Sequence, residues 1–554
     1  MRLRSRKLRH CIALVILCVF VPIAISAQDE APKTQAIRGQ VLNRVTHEAV
    51  PRALVHSPDH HFATMTDGDG RFEFSPLEST KGSPSAPDML IARKPGFLGN
   101  ERDAPSVSPG KDVTLWLTPE SFIVGRVLLP TGETSERISV QLCTRMVQNG
   151  RARWQPNQTV RTNSHGEFRF AGLEAGTYKV FTHELMDRDP LIYDPNGQIY
   201  GFPPVYFPNA ADLDSAASIK LTAGQTFQAD LPLTRHPYYR VKIALANWPP
   251  GQSWTFDVKV LRDGHSGPGY ELGYNPEVRM IEGLLPDGNY LIQASAFADS
   301  SVTGMIALAI KGGPVEDARL MLVPNGTVTV NIAREFTLDE QRPAGGRGGG
   351  GIITTSRPYS DVEVQLEAAD PNPQLSTVIR STNSGNTVFA FQGIAPGRYW
   401  VRPYPSHGYA ASIRAGELDL QQQPLVVGLG GSVSVELTMR DDGAEITGRI
   451  ESPNKPGTFD TKTVSSPARV YCVPLPDSRG EPHEMWVESD GSFHQEQIAP
   501  GTYRLIAFDH VLSSPLEYRN PQAMRAFDGK GQVIRLVAGQ KERVQLQVIT
   551  TDEE

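Results

Sequence analysis

Two of the thirteen histidines begin a sequence that could bind zinc. His183-Glu184 and His483-Glu484 start like His-Glu-x-x-His, in which two imidazoles hold the metal and the glutamate acts as a base. Asp187 and Val487 stand where the second imidazole is required, and no histidine is followed three residues later by glutamate. Zinc peptidase chemistry is therefore not expected. Gly264-His-Ser266-Gly-Pro268 has the serine of a nucleophile elbow but ends on proline, without the strand and helix that expose such a serine. Gly345-Gly-Arg347-Gly-Gly-Gly-Gly351 lacks the lysine and hydroxyl of a phosphate loop and reads as an inserted flexible loop. Asp67-Gly-Asp69-Gly70 opens like a calcium loop, but the chain runs at once into Phe72 and Phe74, so a turn explains it. No cofactor or metal is expected.

One cluster has binding chemistry of a different kind. Tyr193, Tyr200, Phe202, Tyr206 and Phe207 lie among prolines and the polar Asp194, Asn196, Gln198 and Asn209. Aromatic faces stack on the C–H faces of sugar rings, and neighbouring amides and carboxylates meet the hydroxyls. Trp248 and Trp254 form a second such pair. The competing expectation is that these rings pack on their own domain. Trp116, Trp400 and Trp486 sit in strand-like patterns and read as sheet or core residues.

These residues are set in a chain that reads as exported and turn-rich. Arg2, Arg4, Arg6, Lys7 and Arg9 precede an apolar run from Cys11 to Ile25 and the small pair Ser26-Ala27, which predicts a signal peptide over 1–27. The run is shorter than the roughly 20 residues of a spanning helix, so no membrane span is expected in the mature chain. Glycine (50) and proline (44) mark frequent turns, while 39% hydrophobic content suffices for packed cores. A net charge of −7 leaves no basic footprint for nucleic acid. Cys143 and Cys472, the cysteines beyond the signal, lie more than 300 positions apart in separate apolar runs and read as two core thiols, not a disulfide.

A repeated pattern organises the rest. Phe168-Arg-Phe170 leads to Gly176-Thr-Tyr178, Met280-Ile281 to Gly288-Asn-Tyr290, Phe389-Ala-Phe391 to Gly397-Arg-Tyr399, and Phe493 to Gly501-Thr-Tyr503. A unit recurring about every 100 residues means an array of small domains. Alternating runs such as Val113-Thr-Leu115-Trp-Leu117 and Val433-Ser-Val435-Glu-Leu437 place apolar residues on one strand face. New runs open near 36, 121, 238, 327 and 444. The expected fold is all-β, with about five β-sandwiches over 28–119, 120–235, 236–325, 326–441 and 442–554. Junctions of only a few residues predict a semi-rigid, elongated string. The repeated pattern itself is expected to form a hairpin, a turn and a paired core strand.

The opening Gly39-Gln-Val41 and Gly125-Arg-Val127, the Asp69-Gly-Arg-Phe72 and His165-Gly-Glu-Phe168 segments and the Gly-x-Tyr strands resemble the carboxypeptidase regulatory-like domain, a prealbumin-like sandwich repeated on secreted bacterial proteins. The array is also similar to those of acidobacterial secreted proteins, in which a segment like Phe202-Pro-Pro-Val-Tyr206-Phe207-Pro208 recurs. The resemblance implies a fold and turn chemistry, and no catalytic residue. The expected role is a non-catalytic scaffold or interaction protein of the cell envelope, periplasmic, surface-bound or released. Its partner would be an envelope protein, or an extracellular polysaccharide on the carbohydrate-binding alternative.

Overall fold

The computed structural model describes residues 36–549 except 75–88, 100, 102–103, 106, 108–110, 131–135, 188–196, 249–254, 263–266, 268, 297–301, 338–360, 370–377, 385–386, 452–467, 477, 479, 489, 509–511 and 513–514. The signal segment, Tyr193, Trp254 and the glycine-rich run 345–351 lie outside the described residues. The chain divides into two compact units, Met1–Pro119 and Glu120–Glu554. The first holds one β-sandwich and the second holds four.

In every sandwich the opening strand lies between an antiparallel and a parallel neighbour of its own sandwich. Ile37–Asn43 pairs antiparallel with Arg71–Phe74 and parallel with Val113–Pro119. Ser121–Leu128 lies in the same way between Glu167–Leu173 and the short final strands Thr226–Gln228 and Leu231–Pro232. His236–Ala246 lies between Met280–Pro286 and Val315–Met321, and Gly326–Glu335 between Val388–Ile394 and Ser432–Arg440. Ala444–Glu451 lies between Ser492–Ile498 and Lys541–Ile549. Alternation of side chains turns one face of this sheet onto a second layer of antiparallel strands, which in the fifth sandwich is continuous with the first through the parallel pairing of Ala507 with Val548, and a separate apolar core fills each gap.

The repeated pattern is not a hairpin. Glu167–Leu173 belongs to the sheet of the opening strand, whereas Gly176–Thr182 belongs to the opposing sheet, between Ser139–Gln148 and Ile219–Leu221. The turn before the aromatics also crosses sheets, since Arg151–Arg161 pairs with Ser139–Gln148. The aromatic strand is thus the middle of a double arch. Asn163 Oδ1 shapes its entry by accepting from the His165 and Glu167 amides, each at 2.9 Å, and Asp67 accepts from Asp69 and Arg71 at the corresponding turn. Its exit bends at Gly172 and, in the fourth sandwich, at Gly393, both with φ near +70°.

Each repeated tyrosine closes its arch. The Tyr178 hydroxyl donates to Glu174 O at 2.8 Å, Tyr290 to Pro286 O at 2.9 Å, Tyr399 to Ala395 O at 2.8 Å and Tyr503 to Ala499 O at 2.7 Å. This is the tyrosine corner of Ig-like sandwiches. The Tyr503 side chain is fully buried, so Tyr503→Phe leaves a carbonyl without its donor and is expected to cost about 1–2 kcal/mol in denaturant unfolding. An unchanged midpoint would remove the corner from the stabilising contacts.

The opening glycines have a packing role. Gly125 faces Phe168 across the strand pair, and a Cβ built on it would lie 1.9 Å from Ala229 O and 2.7 Å from the Phe168 ring. Gly39 faces Phe72 and Gly448 faces Phe493 with similar clashes. The ring lies over the glycine, which shields the bare backbone and fills the space of a missing side chain. In the fourth sandwich Val330 holds this position and Phe389 is correspondingly less buried. Gly125→Ala is expected to lose about 1–3 kcal/mol by overpacking, read as a lowered melting temperature, while Gly428→Ala in open space has no steric effect.

Within the Glu120–Glu554 unit the sandwiches do not run end to end. The long hairpin Ser139–Gln148 and Arg151–Arg161 carries its tip from the second sandwich to the fourth and fifth. The expected string therefore closes on itself there, because side chains far apart in sequence are buried against each other. The second and third sandwiches are joined differently. Ile199–Phe202 pairs with His236–Ala246, and Leu185–Asp187 pairs with Ile199–Phe202, so the excursion of one sandwich extends the sheet of the next.

Candidate functional site

The aromatic excursion serves this joint. Phe202 (6% exposed) belongs to the core of the second sandwich. Tyr206 (2% exposed) stacks on Phe181 with ring centroids 4.7 Å apart. Neither has a free face, so the sugar-stacking expectation for these two residues is corrected: Phe202 packs into the second core, and Tyr206 into a smaller cluster with Cys143, Phe181 and Leu213. Tyr200 is half-buried under the Arg235 guanidinium at 4.1 Å. Trp248 is half-buried against Phe256 and Tyr274, with the Arg279 guanidinium 4.9 Å from its ring. Tyr206 and Trp248 are on different surfaces of packing, in the second and third cores respectively, and make no common site. Cys143 and Cys472 are free buried thiols, and burial pushes Cys143 up to about 12.

Two arrangements that the sequence reading missed hold most of the unusual chemistry. The first is a charged node where the second, fourth and fifth sandwiches meet. Asn149 and Gly150 turn the long hairpin with positive φ at both positions, the Asn-Gly signature of a tight hairpin. A side chain at Gly150 would strike the Tyr518 ring, 2.3 Å from where its Cβ would be. The turn delivers Asn149, Arg151 and Arg153. Arg153 Nη2 meets Glu367 Oε1 at 2.6 Å and Ala368 O at 2.8 Å, and Asn149 Nδ2 donates to Glu367 Oε2 at 3.1 Å. Arg402, 3% exposed, reaches Glu481 at 3.5 Å and lies 3.9 Å from Glu367. Arg519 bonds Glu481 at 2.5 Å and Asn149 O at 3.1 Å.

Trp400 lies between two cations, with Arg151 at 3.7 Å and Arg402 at 5.0 Å from its ring centroid. Four guanidiniums, of Arg151, Arg153, Arg402 and Arg519, thus share the carboxylates of Glu367 and Glu481. Burial first, then the neighbouring Arg402 and Arg519, lowers Arg151 to about 10. The node joins modules and offers no open cleft for a reacting molecule. The Gln148-Asn149-Gly150-Arg151 turn was the one local signal that could have exposed it.

The second arrangement is a groove of about 840 Å³ on the fifth sandwich. Trp486, at the end of strand His483–Trp486, is the sheet residue its strand pattern suggested, paired with Arg469, but it stands on the outer face at 65% exposure and outside the core. The buried Arg469 guanidinium lies 3.2 Å from its ring centroid and is held by Glu484 at 3.2 Å. One indole face is therefore backed by a fixed cation and the other is open. The floor is the outer face of three paired strands: Thr447 lies between His494 and Arg543, and Arg449 between Ser492 and Gln545. Arg449 also pairs with Asp490 at 3.1 Å.

Beside the groove, the ligand atoms of Glu445, His494 and Glu496 lie within 4.8 Å of one another. Lys541 holds Glu445 at 2.6 Å and its hydrogen bond lowers that carboxyl. With an ammonium already on one carboxylate and His494 Nε2 3.1 Å from Glu496, the cluster reads as a solvated ion-pair group.

No family model and no curated protein matches the chain. Among solved structures it is similar to the Bacillus anthracis TIE protein, at 9% identity over 77% of this chain and 74% of that one, with a TM-score of 0.16. It is similar to two B repeat units of the collagen binding protein of Staphylococcus aureus, at 12% identity over 74% and 100% of the two chains, with a TM-score of 0.13. The full-length RrgB pilus protein of Streptococcus pneumoniae matches at 9% identity over 79% and 99%, with a TM-score of 0.14. Likenesses this distant carry no argument about role, and the all-β, Ig-like tandem architecture rests on this chain's own strand pairing.

Proposed function

We propose that this chain is a non-catalytic multi-domain scaffold of the cell envelope or extracellular space, exported by its first 27 residues. Its sandwiches would be carboxypeptidase regulatory-like domains spanning 28–119, 120–235, 236–325, 326–441 and 442–554. The observation that carries the reading is a buried charged junction: Arg153 of the second sandwich meets Glu367 of the fourth, and Arg402 of the fourth meets Glu481 of the fifth. The repeated glycines, aromatics and tyrosines are likewise engaged in packing. A protein so built holds surfaces in a set relation, which is what a scaffold requires. No helix among the described residues is long and apolar enough to cross a membrane.

Two measurements test this. Expression of the full chain in a bacterial host, with the mature product sequenced from its N-terminus, should give a form beginning near Gln28 outside the cytoplasm. Purified protein should leave peptide, ester and glycoside substrates unchanged. Turnover of any of them that a single substitution abolishes would overturn the non-catalytic reading.

A further inference from the structure

We infer that the groove on the fifth sandwich is a binding site for a neutral saccharide, with Trp486 as its stacking platform. A tryptophan 65% exposed beside a cleft of about 840 Å³ is unusual in an array whose other described large rings are mostly packed. Exposed apolar surface of this kind marks interaction sites. Its indole is held in place: the buried Arg469 covers one face, and Glu484 holds Arg469. Preorganisation of the ring lowers the entropy lost when a ligand stacks on it.

The chemistry of the groove selects among ligands. A cation already behind the indole opposes a second cation on the open face, which disfavours a lysine, arginine or quaternary ammonium there. The weakly polarised C–H face of a pyranose meets a much smaller electrostatic penalty. The floor presents hydroxyl, imidazole, amide and guanidinium groups in two cross-strand rows, His494-Thr447-Arg543 and Ser492-Arg449-Gln545. Neighbouring strands are about 4.8 Å apart, so these rows offer donors and acceptors at the scale of a sugar ring and suit a polyhydroxylated ligand better than an apolar side chain. Positive charge is balanced locally, with Arg469 held by Glu484 and Arg449 by Asp490, which favours a neutral glycan over a polyanion. This site deepens the scaffold reading by giving it a partner class, but it stands on different residues from the module junction.

The test is affinity electrophoresis of the full chain through gels containing dextran, mannan, xylan or mixed-linkage β-glucan, with heparin as the polyanion. Retardation by at least one neutral polysaccharide is expected, weakened about tenfold or more in Trp486→Ala, where stacking and ring burial are lost. Trp486→Tyr should retain part of it, and Tyr200→Ala all of it. Trp486→Ala also uncovers the buried Arg469 guanidinium, so a modest fall in melting temperature is expected, and a cooperative unfolding transition well above the assay temperature separates lost binding from lost folding. Retardation by heparin alone, by none of the neutral polymers, or equally in Trp486→Ala would overturn the proposal. None of those outcomes touches the scaffold reading, which fails instead on substrate turnover.

Discussion

Glu367→Ala is expected to destabilise the Glu120–Glu554 unit by about 3–5 kcal/mol, the range for breaking a buried ion pair from one side. The carboxylate accepts from Arg153 and Asn149 and lies 3.9 Å from Arg402. Its removal leaves Arg153 without a carboxylate and leaves Arg402 to share Glu481 with Arg519. Both Arg153 and Arg402 are buried where water cannot replace the lost partner. The loss should appear as a lower melting temperature, as a larger radius in solution scattering, and as new protease cleavage in the hairpin Ser139–Arg161. Arg126→Ala breaks the exposed pair with Glu167 and should do none of these things, since surface pairs of this kind contribute little. An unaltered scattering profile and melting curve for Glu367→Ala would mean that apolar packing alone holds the three sandwiches together.

A pH dependence is expected at the joint between the second and third sandwiches. Burial raises the Glu184 carboxyl to about 8, although the Glu271 amide donates to it at 2.8 Å. The buried phenol of Tyr238 and the half-buried Tyr270 and His183 surround it, with the exposed Glu271 carboxylate and Arg137 at the rim. The folded joint therefore keeps Glu184 protonated at neutral pH. Below the ordinary carboxylate range both folded and unfolded forms are protonated and the contribution is fully present. As pH rises toward about 8 the unfolded form ionises first, and stability falls by about 5 kcal/mol in total. His183 acts oppositely: burial lowers it, so stability rises with pH near its ordinary value of 6.5.

The interval from about pH 7 to about pH 9 thus isolates Glu184. Hydrogen exchange of Ile199–Phe202 and His236–Ala246, compared with Glu184→Gln at each pH, should show wild-type protection falling relative to the variant. Equal protection in both proteins across that interval would remove Glu184 from the joint's stability.

Much of the fold was legible because its signals are local. The period-two runs around Val113, Val433 and Val544 specify strands, and the spacing of Phe168, Gly172, Gly176 and Tyr178 specifies two strands joined by a tight turn, because each residue acts on neighbours within ten positions. What those signals could not say is which sheet a strand enters. The Gly-x-Tyr strand looked like the return of a hairpin, yet it pairs with Ser139–Gln148 on the opposing sheet. An arch and a hairpin share the same turn residues and the same alternation, and differ only in partners far along the chain.

Site residues were harder still. Tyr206 and Trp486 are both aromatic residues beside valine in sequence, but one is 2% exposed and the other 65%. Burial depends on what the rest of the chain brings to a side chain, as Phe181 is brought to Tyr206. Arg153, Glu367, Arg402 and Arg519 carry no local motif and are separated by up to hundreds of residues. From sequence alone this protein is an all-β array of about five repeats with glycine turns and Gly-x-Tyr core strands, because backbone conformation and side-chain alternation are short-range properties. The junction of three sandwiches, the sheet shared by two, and the groove at Trp486 arise only in three dimensions, because solvent exclusion and charge pairing between distant segments are not written in any one of them.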